Sequence, residues 1–210
     1  MSLSTKGHWN KVYTSSAVRK LGWYEEEPKV SLQMIANCAV DKQAPILDVG
    51  AGATTLIDHL LDQGYGNLAA LDISEVALEK LRTRLGAEKA SRVEILVDDI
   101  TKPTTVFSLR DVAIWHDRAL LHFLLEARQK QSYLAVLRKI VRVGGYLIIA
   151  AFAKGGASRC SGLDVERYDR ESLAALLGPE FELQESRGYQ YQMPSGGVRL
   201  YLYARFWRKR

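Results

Sequence analysis

Apolar residues along this chain fall into two alternating rhythms, short unbroken runs and helix-spaced stripes, and their order lays out the fold. A helix over 29–39 precedes an apolar run at 45–49 that predicts the first strand. Residues 54–63 then read as a helix ended by Gly64, because glycine accepts the left-handed backbone of a helix terminus. The run 68–73 predicts a second strand. Ser74 follows as a cap, Leu78, Leu81 and Leu85 share one helical face, and Gly86 marks the expected end. Strands are expected over 93–97 and 111–115, then a helix whose stripe is Tyr133, Leu137, Ile140 and Val141, then a strand over 145–152. Asp169 can cap one more helix running to Leu177. Two extended runs, 181–191 and 198–207, flank the turn residues Pro194, Ser195, Gly196 and Gly197 and should pair as an antiparallel hairpin. In the second run, Leu200, Leu202, Ala204 and Phe206 predict a greasy face, and Arg199, Tyr201, Tyr203 and Arg205 a wetter one.

Strands alternating with helices imply an α/β fold with a doubly wound, mostly parallel sheet closed by an antiparallel hairpin. At 210 residues and 47% hydrophobic composition the chain suits one domain, with 1–40 as an N-terminal helical lid and 41–210 as the core. Met1, Ser2 and Leu3 are set aside from the reading. No apolar run approaches the roughly 18–20 residues of a membrane span, and the start lacks a signal-peptide pattern, so a soluble cytoplasmic protein is expected. Cys38 and Cys160 suggest neither a disulfide framework nor a zinc site, and no metal is expected. The net charge of +5 and the tail Arg205-Phe206-Trp207-Arg208-Lys209-Arg210 raise the question of nucleic acid. Small basic domains with charged tails are common, so nucleic acid is not expected as a partner. Oligomeric state leaves no signal.

Candidate chemistry begins at Pro45-Ile-Leu-Asp-Val-Gly-Ala-Gly-Ala53. Gly50 and Gly52 flank Ala51 where the first strand turns into its helix, allowing backbone to approach a nucleotide cofactor that a Cβ would repel. Asp48 ends an otherwise apolar strand, where an unpaired carboxylate is costly, so a cation or placed donors are expected beside it. Asp72, next to Ile73, ends the second strand twenty residues after Gly52, a spacing that suits a carboxylate accepting from ribose hydroxyls. Asp99 can accept from an adenine amino group while Ile100 touches the ring; Asp98 is the competing choice. A dinucleotide dehydrogenase shares this opening, but its fingerprint needs a third glycine where Thr55 stands, which makes NAD the runner-up.

Taken in order, LDVGAGATT, LDIS, VDDI and the terminal hairpin resemble the class I, Rossmann-like S-adenosylmethionine-dependent methyltransferases over nearly the whole chain. The resemblance implies sheet order 3-2-1-4-5-7-6 with strand 7 antiparallel, and S-adenosylmethionine as cofactor. It implies cofactor roles for Asp48, Gly50, Gly52, Asp72, Asp99 and Ile100, with the cofactor's ammonium as the cation beside Asp48. Ala53 stands where many members carry a third glycine. The stretch Ile114-Trp-His-Asp-Arg-Ala-Leu-Leu-His122 is similar to a segment of thiopurine and small-molecule thiol methyltransferases and of some protein lysine methyltransferases. A small molecule or a protein side chain is therefore the expected acceptor.

Methyl transfer is a displacement that needs alignment, exclusion of water and sometimes a proton acceptor. Trp115, His116, Asp117 and Arg118 are expected to leave the carboxyl end of strand four, beside the crevice where open α/β sheets bind ligands. His116 is a candidate general base, Asp117 and Arg118 are candidates to orient the acceptor, and Trp115 is a candidate to contact it. His122 reads as a packed or surface residue. The small-residue stretch 155–162 suits a pocket wall containing Cys160, with Arg167 and Tyr168 facing the same space. Trp9 and Tyr13, four apart, fit one face of a lid helix over the cofactor, and Trp23 is placed at the acceptor.

Overall fold

A computed structural model describes residues 5–210; Met1, Ser2 and Leu3 lie outside the described residues. Helices α1 (Thr5–Ser15) and α2 (Lys29–Ala36) precede β1 (Ile46–Val49), α3 (Leu56–Asp62), β2 (Leu68–Asp72), α4 (Glu75–Ala90) and β3 (Val93–Val97). After them come β4 (Val112–Arg118), α5 (Ala127–Ile140) and β5 (Val141–Phe152), then a hairpin of β6 (Arg159–Cys160) and β7 (Leu163–Asp164). The chain closes with α6 (Arg170–Leu177), β8 (Phe181–Gln192) and β9 (Val198–Arg208). The main sheet has seven strands in the order β3-β2-β1-β4-β5-β9-β8. Neighbours from β3 to β5 run parallel, whereas β9 is antiparallel to both β5 and β8. With the small β6–β7 hairpin set apart, this is the expected order.

The strand period of two divides the core between the two faces of the sheet. Ile46, Ile114 and Ile148 pack on one face with Met34 of α2, Ile57 and Leu60 of α3 and Leu81 of α4. Leu47, Trp115 and Leu147 pack on the other with Tyr133, Leu137 and Ile140 of α5 and Leu173 of α6. Each fully buried apolar side chain of this size contributes about 1.5–3 kcal/mol. Asp169 caps α6 as expected, accepting from the Ser172 N–H. No helix among the described residues is long and apolar enough to cross a membrane.

Four local expectations are corrected. Gly86 does not end α4 but bends it, taking φ +72° while the helix resumes to Ala90. Val141 opens β5 rather than closing α5. Strand β4 runs three residues past Trp115, so His116, Asp117 and Arg118 lie within the sheet and not beyond it. Tyr201 and Tyr203 are buried rather than wet, because the Arg118 guanidinium lies against them and α2 packs on the same face.

Candidate active site

The carboxyl ends of β1, β2 and β4 open onto a cleft of about 390 Å³, within the range of small-molecule and cofactor sites. Its floor is the turn after β1. Gly50 and Gly52 have φ of +69° and +56°, values that disfavour any residue with a Cβ. A Cβ on Gly50 would come within 2.7 Å of Leu120, and one on Gly52 within 2.2 Å of the Tyr13 hydroxyl. The loop therefore fits only a chain without side chains at these two points.

Asp72 stabilises the turn. Its Oδ2 accepts from the Gly52 N–H at 2.8 Å and its Oδ1 from the Ser74 N–H at 2.7 Å. Each oxygen keeps a second lone pair for a ligand hydroxyl. Burial pushes the Asp72 carboxyl up to about 6, against the lowering effect of those two N–H groups. Farther along, Ile73, Asp99 and Ile100 line the cleft. Asp98 borders it too, but its carboxylate accepts from the backbone N–H groups of Asp99, Thr104 and Val106 and so organises the loop after β3. The Asp99 carboxylate accepts from the Thr101 N–H and hydroxyl through Oδ1 and retains acceptor capacity. Ala51 and Gly52 shape the turn from beneath and do not line the cleft.

Helix α1 closes the opposite side. Lys6 pairs with Glu75 at 3.1 Å, and the Ser74 hydroxyl donates to Asn10 Oδ1 at 2.8 Å, fastening the helix beside Asp72. This brings Trp9 and Tyr13 into the cleft wall, with Trp9 packed edge-on against Trp23 and Phe123. The segment after α1 is strapped down through its carbonyls. Thr55 Oγ1 donates to Glu25 O at 2.9 Å, and Arg118 Nη1 to Trp23 O at 2.9 Å. Cys160, Leu163 and Asp164 of the β6–β7 hairpin form the remaining wall. Burial pushes the Cys160 thiol up, leaving it a protonated lining group at neutral pH.

The strand-four segment divides by face. His116 points to the α2 side, with Nδ1 2.7 Å from Asp48 Oδ1 and Nε2 2.9 Å from the Ser31 hydroxyl. Both ring nitrogens are committed and the side chain is 3% exposed, so in this geometry no nitrogen faces an acceptor. Asp117 points the other way. It accepts from the Leu120 and Leu121 N–H groups and from the Tyr133 hydroxyl, which in turn accepts from Trp115 Nε1 at 2.9 Å. Burial lifts its carboxyl to about 6 despite those donors. Trp115 is thus a core residue, and Tyr168, 2% exposed among α5 and α6 side chains, also lies away from the cleft. Of the four, Arg118 lines the main cleft, and His116 borders the small cavity at its deep end. Arg118 Nε contacts Glu25 Oε2 at 3.0 Å and the Tyr203 hydroxyl at 2.9 Å.

Sequence reasoning missed Thr54, Ser31 and Glu25. Ser31 and Glu25 meet their partners only through contacts more than 80 residues apart in sequence, which no local pattern reveals. The basic tail is also explained. Arg208 donates to the Arg138 carbonyl at 2.7 Å at the end of α5, and Lys209 pairs with Glu182.

The residues present suit an adenosyl cofactor: a buried carboxylate with lone pairs to spare at the end of β2, a glycine cradle, and Asp48 Oδ2 buried at the end of β1 with no partner among the described residues. Comparison with known proteins agrees. The family described as "Methyltransferase domain" matches residues 46–145. EEF1A lysine methyltransferase 2 of Danio rerio is 28% identical over 193 residues, spanning 86% of this chain and 76% of that protein. A SAM-dependent methyltransferase from Anabaena variabilis shares the fold with a TM-score of 0.71 at 15% identity, over 97% of this chain and 93% of that one. The 1,6-didemethyltoxoflavin-N1-methyltransferase of Burkholderia thailandensis, solved with S-adenosylhomocysteine, superposes with a TM-score of 0.67 at 21% identity, over 95% and 81%. Sequence motifs, sheet order, cleft and relatives converge: the chain is similar to the class I, Rossmann-like S-adenosylmethionine-dependent methyltransferases, with the methyltransferase-domain match spanning residues 46–145.

Proposed function

We propose that this protein transfers the cofactor's methyl group to an amine nitrogen brought in between Trp9, Trp23, Phe123 and the β6–β7 hairpin. The observation that carries this reading is the character of the cleft wall: aromatic side chains together with the carboxylates Asp72, Asp98, Asp99 and Asp164, and Arg118 as the basic residue among them. Such a lining favours an amine over an anionic acceptor; an amine that arrives as its ammonium gives up a proton to water before its lone pair displaces the thioether from the methyl carbon. The bound cofactor supplies an electrophilic methyl on a positively charged sulfur. The protein's residues bind, orient and exclude water.

In this reading Asp72 holds the ribose hydroxyls, Asp99 and Ile100 hold the adenine, and the Gly50–Gly52 turn admits the methionine portion. His116 is a positioning residue that, with Ser31, fixes the Asp48 carboxylate. Asp117 positions the turn at Leu121 and does not touch substrate. Trp9 and Tyr13 close over the cofactor, and Trp23 and Cys160 contact the acceptor. The resemblance to a lysine methyltransferase supports a lysine side chain as the amine, and the toxoflavin enzyme supports a ring nitrogen. Incubating the protein with methyl-labelled S-adenosylmethionine and matched panels of lysine peptides, small amines, thiols and phenols tests the proposal. Label on amines supports it; label only on thiols or phenols overturns it.

A further inference from the structure

The backbone just beyond the glycine turn is held from outside the cleft. Ala53 and Thr54 lead from that turn into α3, and their carbonyls accept from the Arg84 guanidinium of α4, Ala53 O from Nη1 at 2.7 Å and Thr54 O from Nη2. The same guanidinium makes two parallel bonds to Asp58 in the first turn of α3, Nε to Oδ1 at 3.0 Å and Nη2 to Oδ2 at 2.7 Å. Among the described residues no other group donates to either carbonyl. Arg84 lines neither the main cleft nor the small cavity at its deep end, whereas Gly50 and Thr54 line both.

This is more than a surface ion pair. Ala53 is 2% exposed, so without the guanidinium its carbonyl would be a buried acceptor with no donor, and the turn would have to move to satisfy it. Gly50 and Gly52, at φ of +69° and +56°, give the turn its close approach to a ligand, but the same freedom opens other shapes to it. Something outside the glycines must therefore select one shape. A planar guanidinium seated on a carboxylate can grip two successive carbonyls in fixed geometry, which a lysine ammonium cannot. Helix α4 is a firm base for it: the Ser74 N–H at its start donates to Asp72 at 2.7 Å, and Glu75 pairs with Lys6 of α1.

We propose that Arg84 is a positioning residue for methyl transfer: it touches no ligand, and it fixes the Gly50–Thr54 backbone in the shape that receives the methionine portion of the cofactor, with Asp58 fixing the guanidinium in turn. The assignment rests on the cofactor reading above. A loosened turn costs affinity at the methionine portion and leaves the adenosine contacts, which belong to β2 and the loop after β3, in place.

Calorimetric titration with S-adenosylhomocysteine and with 5′-methylthioadenosine, which lacks the amino-acid portion, reads the effect as a ratio of affinities. Wild type should favour S-adenosylhomocysteine. Arg84→Met should cut that preference about tenfold, the effect of one charge-assisted hydrogen bond, and hold methylthioadenosine within about twofold of wild type. Arg84→Lys keeps the charge without the fork and should behave like Arg84→Met. Asp58→Asn should cut the preference severalfold and carries the test if Arg84→Met does not fold. The double variant should be no worse than Arg84→Met, because Asp58 acts through Arg84. Arg82→Met, on the same helix and beside Glu79 at the surface, should bind both ligands as wild type does. Equal losses for the two ligands that track a fall in Tm, full rescue by lysine, or an unchanged ratio in Arg84→Met and Asp58→Asn overturns the positioning role and leaves the cofactor reading standing. Failure of wild type to bind either ligand overturns the cofactor reading, and the role of Arg84 with it.

Discussion

Replacing Asp72 with asparagine should make the free protein more stable while weakening its cofactor site. Burial raises this carboxyl from its ordinary 3.8 to about 6, so keeping it ionised near neutral pH costs the folded state about 3 kcal/mol. Asparagine removes that cost. It also forfeits one of the two backbone bonds, because its single carbonyl oxygen can face either Gly52 or Ser74 but not both, a loss of about 1.5–3 kcal/mol. The balance is a stabilisation of about 1 kcal/mol, or about 2–4 °C in Tm for a chain of this size. The sign depends on pH. A carboxyl whose folded value lies above its unfolded value binds more protons when folded between 3.8 and about 6, so wild-type stability falls as pH rises through that window. The Tm advantage of Asp72→Asn should therefore be present at pH 7.5 and absent or reversed at pH 4.5. Asp117, also lifted to about 6, is common to both proteins and cancels in the difference. Circular dichroism melts at the two pH values, with calorimetry of S-adenosylhomocysteine at pH 7.5, check the argument. A variant destabilised by more than about 1 kcal/mol at pH 7.5, or one that binds the ligand as tightly as wild type, would refute it.

Three further outcomes follow from the same geometry. Gly52→Ala places a Cβ 2.2 Å from the Tyr13 hydroxyl at φ +56°; it should cost about 1–2 kcal/mol in backbone strain and speed hydrogen exchange in α1, and adding Tyr13→Phe should restore part of the protection. His116→Asn leaves the Asp48 carboxylate without its 2.7 Å partner; urea unfolding should show a loss of about 3 kcal/mol, and S-adenosylhomocysteine affinity should fall with it. Trp115→Phe should lower stability by about 1–2 kcal/mol yet leave ligand affinity within about twofold, because Trp115 faces Tyr133 and not the cleft.

How much of this was legible in the sequence depended on how local each cause was. The first three strands were readable because each is a short apolar run bounded by turn residues, and β3 matches its expected span residue for residue. The glycine turn and Asp72 were readable because backbone freedom and strand-end position are local properties. The end of β4 was not. His116, Asp117 and Arg118 look like a polar loop until their partners are known, and those partners, Asp48 and Ser31, Tyr133, and Tyr203 and Glu25, come from elsewhere in the chain. The same contacts bury Tyr203, which alternation alone assigned to a wetter face. Gly86 misled for a related reason: a glycine at φ +72° can end a helix or bend one, and the turn that follows decides between them. The two-residue strands of the β6–β7 hairpin are too short for periodicity to register.

The central claim is that the cleft above Gly50 and Asp72 receives S-adenosylmethionine. Side-by-side calorimetric titration of the protein with S-adenosylmethionine, S-adenosylhomocysteine and NAD in one buffer tests it most directly. The account predicts saturable binding of both adenosyl ligands, weakened by Asp72→Asn, and no binding of NAD. Binding of NAD alone would contradict it.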